Sequence, residues 1–312
     1  MYAVIDSGTT RTRVRVWDGQ GVTWQAERQI GARDTARQGT EGLAGALDEL
    51  LTLARAQGPL RAVLASGMIG SNLGLVDIPH LPAPVRYQQL ADGIHTRTFE
   101  RLGQICFVPG VRTLPQGPSD LAHLGEQDVM RGEEVEVYAL RRLLQLSGPV
   151  NFVHYGSHHK VICTDDEGIQ RSVTTLGGEL LAATLQHTIL SGSAAPPDTL
   201  GPLDPDIWQA GLLQAQQAGF ARAAFCVRLA EQRLGLTPEQ ATTYLLGAVA
   251  SLDLPLLPQG APLVLYGHAT FTAPVARYLT GQGRPVLAAD PAQSALAAVQ
   301  GAVQLFERRA DA

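Results

Sequence analysis

Ile5-Asp6-Ser7-Gly8-Thr9-Thr10 is a strand end running into a turn: an apolar residue, a carboxylate, then four small residues, three of them hydroxylated. Tyr2-Ala3-Val4-Ile5 climbs into it as one strand. Val14-Arg15-Val16 alternates out of it as the next, until Asp18-Gly19 turns the chain again. Such a turn gathers backbone N–H groups and hydroxyls into a small space, which is what a polyphosphate needs where no helix N-terminus serves it. Gly8 allows close approach of the backbone. Asp6 is placed to hold a hydrated Mg2+, an ion that keeps several waters and takes one or two carboxylates, although the same spacing equally suits an Asx turn into the hairpin. Arg11, Arg13 and Arg15 fall on one sheet face by two-residue alternation, with Arg11 nearest the turn as a phosphate candidate.

Working outward, residues 40–57 carry a helical period through Leu43, Leu47, Leu50 and Leu51, and Leu60 to Met68 reads as the next strand. That is an α/β rhythm. Another strand is expected at 104–109, a helix at 133–146 stopped by Gly148-Pro149, and then the apolar run Val150-Asn151-Phe152-Val153. Here the opening hairpin recurs. At an offset of 148 residues, Val4-Ile5 falls on Phe152-Val153, Gly8-Thr9 on Gly156-Ser157, Val14 on Ile162 and Asp18 on Asp166. Helices are expected at 177–190, 206–234, 238–252, 271–281 and 292–307, with a strand at 262–266. The loop Pro115-Gln116-Gly117-Pro118 marks a lobe boundary, giving a first lobe over 1–125 and a second over 126–312 whose last helix packs back on the first.

Composition narrows the class of partner. With 312 residues, 17% charged and a formal charge of −5, the chain has material for two domains but no basic face for nucleic acid. A few placed arginines suffice for a small anion. Cys106, Cys163 and Cys226 are too dispersed for a thiolate zinc site or a disulfide framework, and no apolar run approaches a membrane span. A cytoplasmic protein is expected, with no membrane partner and the oligomeric state open, a homodimer included.

The second turn, Gly156-Ser157-His158-His159-Lys160, puts His154 where the first has Asp6. The carboxylate has gone, so phosphate binding there falls to N–H groups, Ser157, His158 and Lys160. A zinc reading of His154, His158 and His159 lacks a completing cysteine, and helical i,i+4 alignment does not apply on a strand and turn. Between the hairpins, Met130-Arg131-Gly132-Glu133-Glu134 offers paired carboxylates at a helix start. One of them suits the acceptance of a hydroxyl proton in phosphoryl transfer, while both also suit the helix dipole. Gly67-Met68-Ile69-Gly70-Ser71-Asn72 and Leu265-Tyr266-Gly267-His268-Ala269-Thr270 are strand-Gly junctions, the first fit for an acidic substrate and the second for an adenine. No G-x-x-x-x-G-K-[ST] run is present, which argues against a P-loop kinase.

The order of these pieces resembles the acetate and sugar kinase, heat-shock chaperone and actin superfamily. More narrowly, Ala65-Ser66-Gly67-Met68-Ile69-Gly70-Ser71-Asn72, Val129-Met130-Arg131-Gly132-Glu133-Glu134, Tyr155-Gly156-Ser157-His158-His159-Lys160 and Gly178-Glu179-Leu180 resemble the 2-keto-3-deoxygalactonate kinase family. That resemblance implies an α/β fold of two ribonuclease-H-like, actin-like ATPase lobes with a nucleotide cleft between them. It implies phosphorylation of 2-dehydro-3-deoxy-D-galactonate at its terminal 6-hydroxyl with ATP and Mg2+ as cofactors. Alternatives on the same fold are a 2-keto-3-deoxygluconate kinase, a phosphatase or polyphosphatase, and a silent sugar-acid sensor. Asp6, Gly8, Thr9 and Thr10 match the first phosphate motif, Gly156 and Ser157 the second, and Gly267 the adenosine motif. The similar glycerol-kinase pattern points to Glu133 as the base, the similar exopolyphosphatase pattern to Glu134. Ser7 stands where the family often has Trp, and His159 where it often has Cys. For the sugar acid, Arg33, Asp34, Gly70, Ser71, Asn72 and Arg131 are the candidates, since a guanidinium recognises a carboxylate bidentately.

Overall fold

A computed structural model describes residues 1–309, and the chain divides into two compact units. Of the described residues, the first comprises Met1–Gly148, Cys163–Ser172 and those from Ala292 onward, the second Pro149–Ile162 and Val173–Pro291.

In the first unit the chain runs through β1 (Tyr2–Ser7), β2 (Thr12–Trp17), β3 (Val22–Arg28), α1 (Ala32–Gln38), α2 (Glu41–Arg55) and β4 (Ala62–Gly67). It continues through β5 (Leu81–Pro82), β6 (Val85–Arg86), α3 (Tyr87–Asp92), β7 (His95–Phe99), β8 (Gly103–Phe107), β9 (Val111–Thr113), β10 (Asp128–Met130) and α4 (Glu133–Leu143). Its principal sheet has the order β3-β2-β1-β4-β8-β7, with β1, β4 and β8 parallel and the other pairs antiparallel. Alternation along β1 and β2 sends Ala3, Ile5, Val14 and Val16 to one face. There they meet Leu43, Leu47, Leu50, Leu51 and Ala54, the apolar stripe of α2. Each large aliphatic side chain buried this way is worth about 1.5–3 kcal/mol. The consequence for function is positional: β1, β2 and β4 are held rigidly, and their ends present Asp6, the turn and Gly67 together.

The second unit begins with β11 (Val150–Tyr155) and most of β12 (His159–Thr164); the end of β12 and most of β13 (Gly168–Thr175) belong to the first unit, and the last residues of β13 return the chain to the second for α5 (Gly177–His187), α6 (Pro205–Ala218), α7 (Phe220–Leu234) and α8 (Pro238–Ala250). After β14 (Leu263–Gly267), α9 (Ala269–Gly281) and β15 (Val286–Ala288) comes α10 (Pro291–Glu307), most of which belongs to the first unit. β14 lies parallel to both β11 and β15. Residues 206–234, expected as a single helix, form two. Gly219, at φ 81, ends α6 and caps the start of α7, a left-handed conformation that a continuous helix does not contain. Packing in this unit is tight where glycines face helices: a Cβ on Gly211 would come within 1.9 Å of the Tyr244 carbonyl oxygen, and one on Gly247 within 1.9 Å of that of Trp208. Thus α6 and α8 touch backbone to backbone.

The hairpin repeat inferred from sequence is present as structure. β1 and β11 occupy equivalent positions at the 148-residue offset, and their burial follows the same order, with Asp6 and His154 the partly exposed fifth residues.

Candidate active site

Each hairpin turn is seated on the start of a helix by its carbonyl groups. In the first, the Gly8 carbonyl accepts from Ala32 N (3.1 Å) and that of Thr9 from Arg33 N (2.8 Å), while a Cβ on Gly31 would stand 2.6 Å from the Gly8 oxygen. In the second, the Ser157 carbonyl accepts from Glu179 N (2.8 Å), and a Cβ on Gly178 would stand 2.1 Å from the Gly156 oxygen. Gly31 and Gly178 therefore do the same thing in the two units. A second shared device lies beside the strands. Gly67 ends β4 and Gly267 ends β14, both at positive φ (81 and 104), and a Cβ on either would strike the carbonyl of the neighbouring strand end, Ser7 at 2.5 Å or Tyr155 at 2.3 Å. Only glycine combines that backbone with that proximity.

With the turn carbonyls drawn back onto α1 and α5, the first turn is closed on itself by Gly8 N donating to the Arg11 carbonyl at 2.9 Å. The first hairpin is also braced from within: Ser7 Oγ bonds Thr12 Oγ1 at 2.8 Å, and Thr12 Oγ1 donates to the Ile30 carbonyl at 2.8 Å. Asp6 is partly exposed and lies opposite Arg13 in the ladder. Arg11 and Arg13 both approach Glu27, at 3.6 and 3.0 Å, whereas Arg15 is buried in the sheet face.

The carboxylate pair sits at the other wall of the same unit. Gly132, at φ 114, starts α4, and a Cβ there would lie 3.3 Å from Gly67 Cα. The helix start is thereby pressed against the end of β4. Both oxygens of Glu134 accept from Gly132 N, at 2.9 and 2.8 Å, and the side chain is wholly buried. Burial, reinforced by the neighbouring Glu133 charge, pushes Glu134 up to about 8. Glu133 keeps 9% of its surface exposed.

Arg131 precedes them, 8% exposed. Its Nη2 donates to the Ile78 carbonyl at 2.5 Å and lies 3.3 Å from both ring nitrogens of His80. Its Nε and Nη1 have no hydrogen-bond partner among the described residues. A buried, unsatisfied donor costs about 1–3 kcal/mol, more when charged, so this guanidinium is primed for an anion. Sequence reasoning missed His80, which no local motif marks. Burial and the adjacent Arg131 lower it to about 4, keeping its ring neutral at pH 7.

Of the other sugar-acid candidates, the structure brings Gly70 against Arg131, with a Cβ on Gly70 3.0 Å from Nη1. Ser71 turns its hydroxyl to the Met68 carbonyl at 2.7 Å, and Asn72 is exposed. Asp34 accepts from Gly31 N at 2.9 Å, capping α1, and Arg33 is exposed beside it. In the second unit, a cavity of about 430 Å³ opens beside Gly156 and Ser157 and is walled by Leu181, His268 and Phe271. Gly267 turns the chain into that wall, while His158 Nε2 lies 3.7 Å from Glu179 and Lys160 is buried in β12. His154 stacks on Tyr266 and His159 is tied to Asp253. No group of three or more metal-ligating side chains occurs among the described residues.

Two α/β units with these Gly-seated hairpins define an actin-like ATPase fold. A crystal structure of a candidate 2-dehydro-3-deoxygalactonokinase from Sinorhizobium meliloti matches it with a TM-score of 0.76 at 22% identity, over 97% of this chain and 96% of that one. The activator of the 2-hydroxyisocaproyl-CoA dehydratase from Clostridium difficile, solved with bound ADPNP, matches at a TM-score of 0.51 and 12% identity, over 98% and 94% of the two chains. In sequence, the 2-dehydro-3-deoxygalactonokinase of Escherichia coli (strain K12) is 28% identical over 258 residues, 81% of this chain and 79% of that protein. A family profile, 2-keto-3-deoxy-galactonokinase, matches residues 6–304. The chain belongs to the 2-keto-3-deoxy-galactonokinase family, a family of sugar-acid kinases.

Proposed function

We propose that this chain transfers the γ-phosphoryl group of ATP to the terminal 6-hydroxyl of 2-dehydro-3-deoxy-D-galactonate, with Glu133 as the general base. The observation that carries this reading is the inequality of the two carboxyls at the start of α4, in the unit that also holds the first phosphate turn. Glu134 is buried, protonated near neutral pH and committed to Gly132 N. A group that keeps its own proton does not accept another. Glu133, the less buried of the two, is left to take the hydroxyl proton as the oxygen attacks phosphorus.

The remaining residues take complementary parts. Gly8, Thr9 and Thr10 with Arg11 receive phosphate oxygens in one unit, Gly156, Ser157 and His158 in the other, and the cavity beside Gly267 and Phe271 accepts the nucleoside. The ion pair of Arg11 with Glu27 is exposed, so redirecting Arg11 to a phosphate costs little. Asp6 alone is a sufficient carboxylate for Mg2+ that retains its waters and is otherwise held by phosphates, and its partial exposure at a strand end fits that ion. When bound, the ion neutralises charge developing on the transferred phosphoryl group. Arg131 holds the substrate carboxylate through the nitrogens that lack partners, and the neutral His80 ring leaves its charge unshared. Such an enzyme belongs in the cytoplasm.

Purified protein, ATP, Mg2+ and each of the two 2-keto-3-deoxy sugar acids epimeric at one hydroxyl provide the test. Expected is ADP release dependent on sugar acid and faster with the galactonate-derived one. Glu133→Gln should lose kcat by ~10² or more, and Glu134→Gln, which replaces a neutral acid by a neutral amide, by less than about tenfold. The reverse order would transfer the base to Glu134. Phosphate release without any sugar acid, at a comparable rate, would exclude the kinase.

A further inference from the structure

Beneath the second phosphate turn lies a buried polar chain that the transfer chemistry does not use. His159 is the first residue of β12, immediately after the turn, and is 1% exposed. Its Nδ1 lies 2.7 Å from Oδ2 of Asp253, itself 1% exposed at the end of the helical turn that follows α8. Oδ1 of Asp253 accepts from Thr175 Oγ1 at 2.8 Å, and Thr175 Oγ1 in turn accepts from Gly177 N at 3.3 Å, the first residue of α5. One carboxylate therefore joins three segments: the exit of the turn, the entry of α5 and the end of α8. Aromatic rings close the imidazole in, with Tyr155 at 4.9 Å and Phe271 at 4.7 Å between centroids, both edge-on. Gly177 is small because the ring is there, since a Cβ would lie 2.3 Å from Nδ1.

We infer that His159, Asp253 and Thr175 are positioning residues that hold the second turn at the spacing a polyphosphate requires. The physical argument is one of satisfaction. A carboxylate so deeply buried is tolerable only if both oxygens are bonded, and here the two bonds run to different segments. If the turn moved away from α5, either the His159 or the Thr175 bond would break and leave a buried charge half-solvated. The turn is thus bolted from behind: Ser157 and Gly156 face the cavity, their carbonyls rest on Gly178 and Glu179, and the Asp253 chain fixes the next residue along. Preorganised donors lose less on binding than donors that must be gathered. What the network secures is affinity for phosphates, not for the nucleoside.

This inference rests on the nucleotide assignment made above, and its test separates the two. Binding of ATP and of adenosine is measured by calorimetry on wild type, Asp253→Asn, Thr175→Val and His159→Asn, alongside KM for sugar acid. An asparagine at 253 can satisfy only one of the two donors. We expect Asp253→Asn to weaken ATP by about tenfold, the loss of roughly one charge-assisted bond, with adenosine and the sugar-acid KM within about twofold of wild type. Thr175→Val should move the same way by less, and His159→Asn, whose amide N–H stands near the Nδ1 position, should keep most of the affinity. Unchanged ATP affinity in folded Asp253→Asn overturns the inference, as does an equal loss for ATP and adenosine. Should Asp253→Asn fail to fold, Thr175→Val decides by the same two criteria. A wild type that binds ATP yet turns over no sugar acid overturns the kinase reading alone, since the comparison of ATP with adenosine still stands.

Discussion

A carboxyl held near 8 keeps its proton at pH 7, and that makes Glu134 a different kind of group from Glu133. The folded value lies above the ordinary glutamate range of about 4.3. Its stabilising contribution is therefore complete below pH ~4.3 and is lost as pH rises through ~8, because over that window the unfolded chain releases a proton that the folded chain retains. The cost accumulates to a few kcal/mol at most. Glu134→Gln has no proton to release, so its Tm should gain on wild type steadily from about pH 5 to pH 8. Parallel Tm curves over that range would show that the carboxyl is ionised after all. Arg131→Met should raise KM for the sugar acid by ~10² with a much smaller change in KM for ATP, since a buried charged hydrogen bond to carboxylate is worth about 1.5–3 kcal/mol or more; a nucleotide-specific defect would move Arg131 out of the carboxylate site. Asp6→Ala should abolish turnover at any Mg2+ concentration, and recovery at high Mg2+ would mean that the ion has other ligands. The string Met130 to Glu134 was readable as chemistry because its residues are adjacent. How unequally the two glutamates are buried was not, since that depends on the start of α4 packing against Gly67 at the end of β4. His80 and Asp253 were invisible for a related reason: their partners lie 51 and 94 residues away.

At their strand ends and helix starts the two units build the same joint. A hairpin carbonyl rests on a glycine at a helix entry, and a positive-φ glycine ends the parallel neighbouring strand. The hairpins could be matched by eye because strands alternate and turn residues are few. Their seats could not, because Gly31 and Gly178 stand at unequal distances from their turns and the short α1 carries too few residues for a helical period. Likewise, Gly219, between Gln216-Gln217-Ala218 and Phe220-Ala221-Arg222, interrupts a run of helix-forming residues without a proline or turn motif to mark the break. Gly178→Ala should force the second turn away from α5, destabilising the protein by about 1–3 kcal/mol and raising KM for ATP more than KM for the sugar acid. Gly45→Ala, in α2 where a Cβ meets nothing within 4 Å, is the control and should be neutral or stabilising. Equal behaviour of the two variants in thermal unfolding would disprove the seating role.

At the scale of the molecule, an α/β chain of two compact units was legible from the rhythm and the repeat, as was the family from its strings. The allotment of segments to units was harder to read, because it depends on which surfaces meet. α10 shows this. Gly301 would bring a Cβ within 1.9 Å of the Val135 carbonyl oxygen, Glu307 accepts from the Tyr2 hydroxyl at 2.9 Å, and Phe306 stands edge-on to Tyr2 at 6.1 Å. The helix is amphipathic, burying Ala297, Ala298, Val299, Ala302, Val303 and Leu305, and no helix among the described residues is long and apolar enough to cross a membrane. Ending the chain at residue 290 should therefore unmask β1 and α4, with hydrogen exchange in β1 and β2 accelerating by ~10² or more while β11 and β14 keep their protection; protection lost everywhere alike would show that the units do not fold separately.

The placement of α10 also sets an order of events in biosynthesis. Translation delivers every residue of the second unit before the helix that completes the first, although the first unit supplies the opening strand. A nascent chain whose first 290 residues have cleared the ribosome thus carries one finished unit and one waiting sheet face. The N-terminal half is made first and matures last, inverting the usual progression of domains off the ribosome.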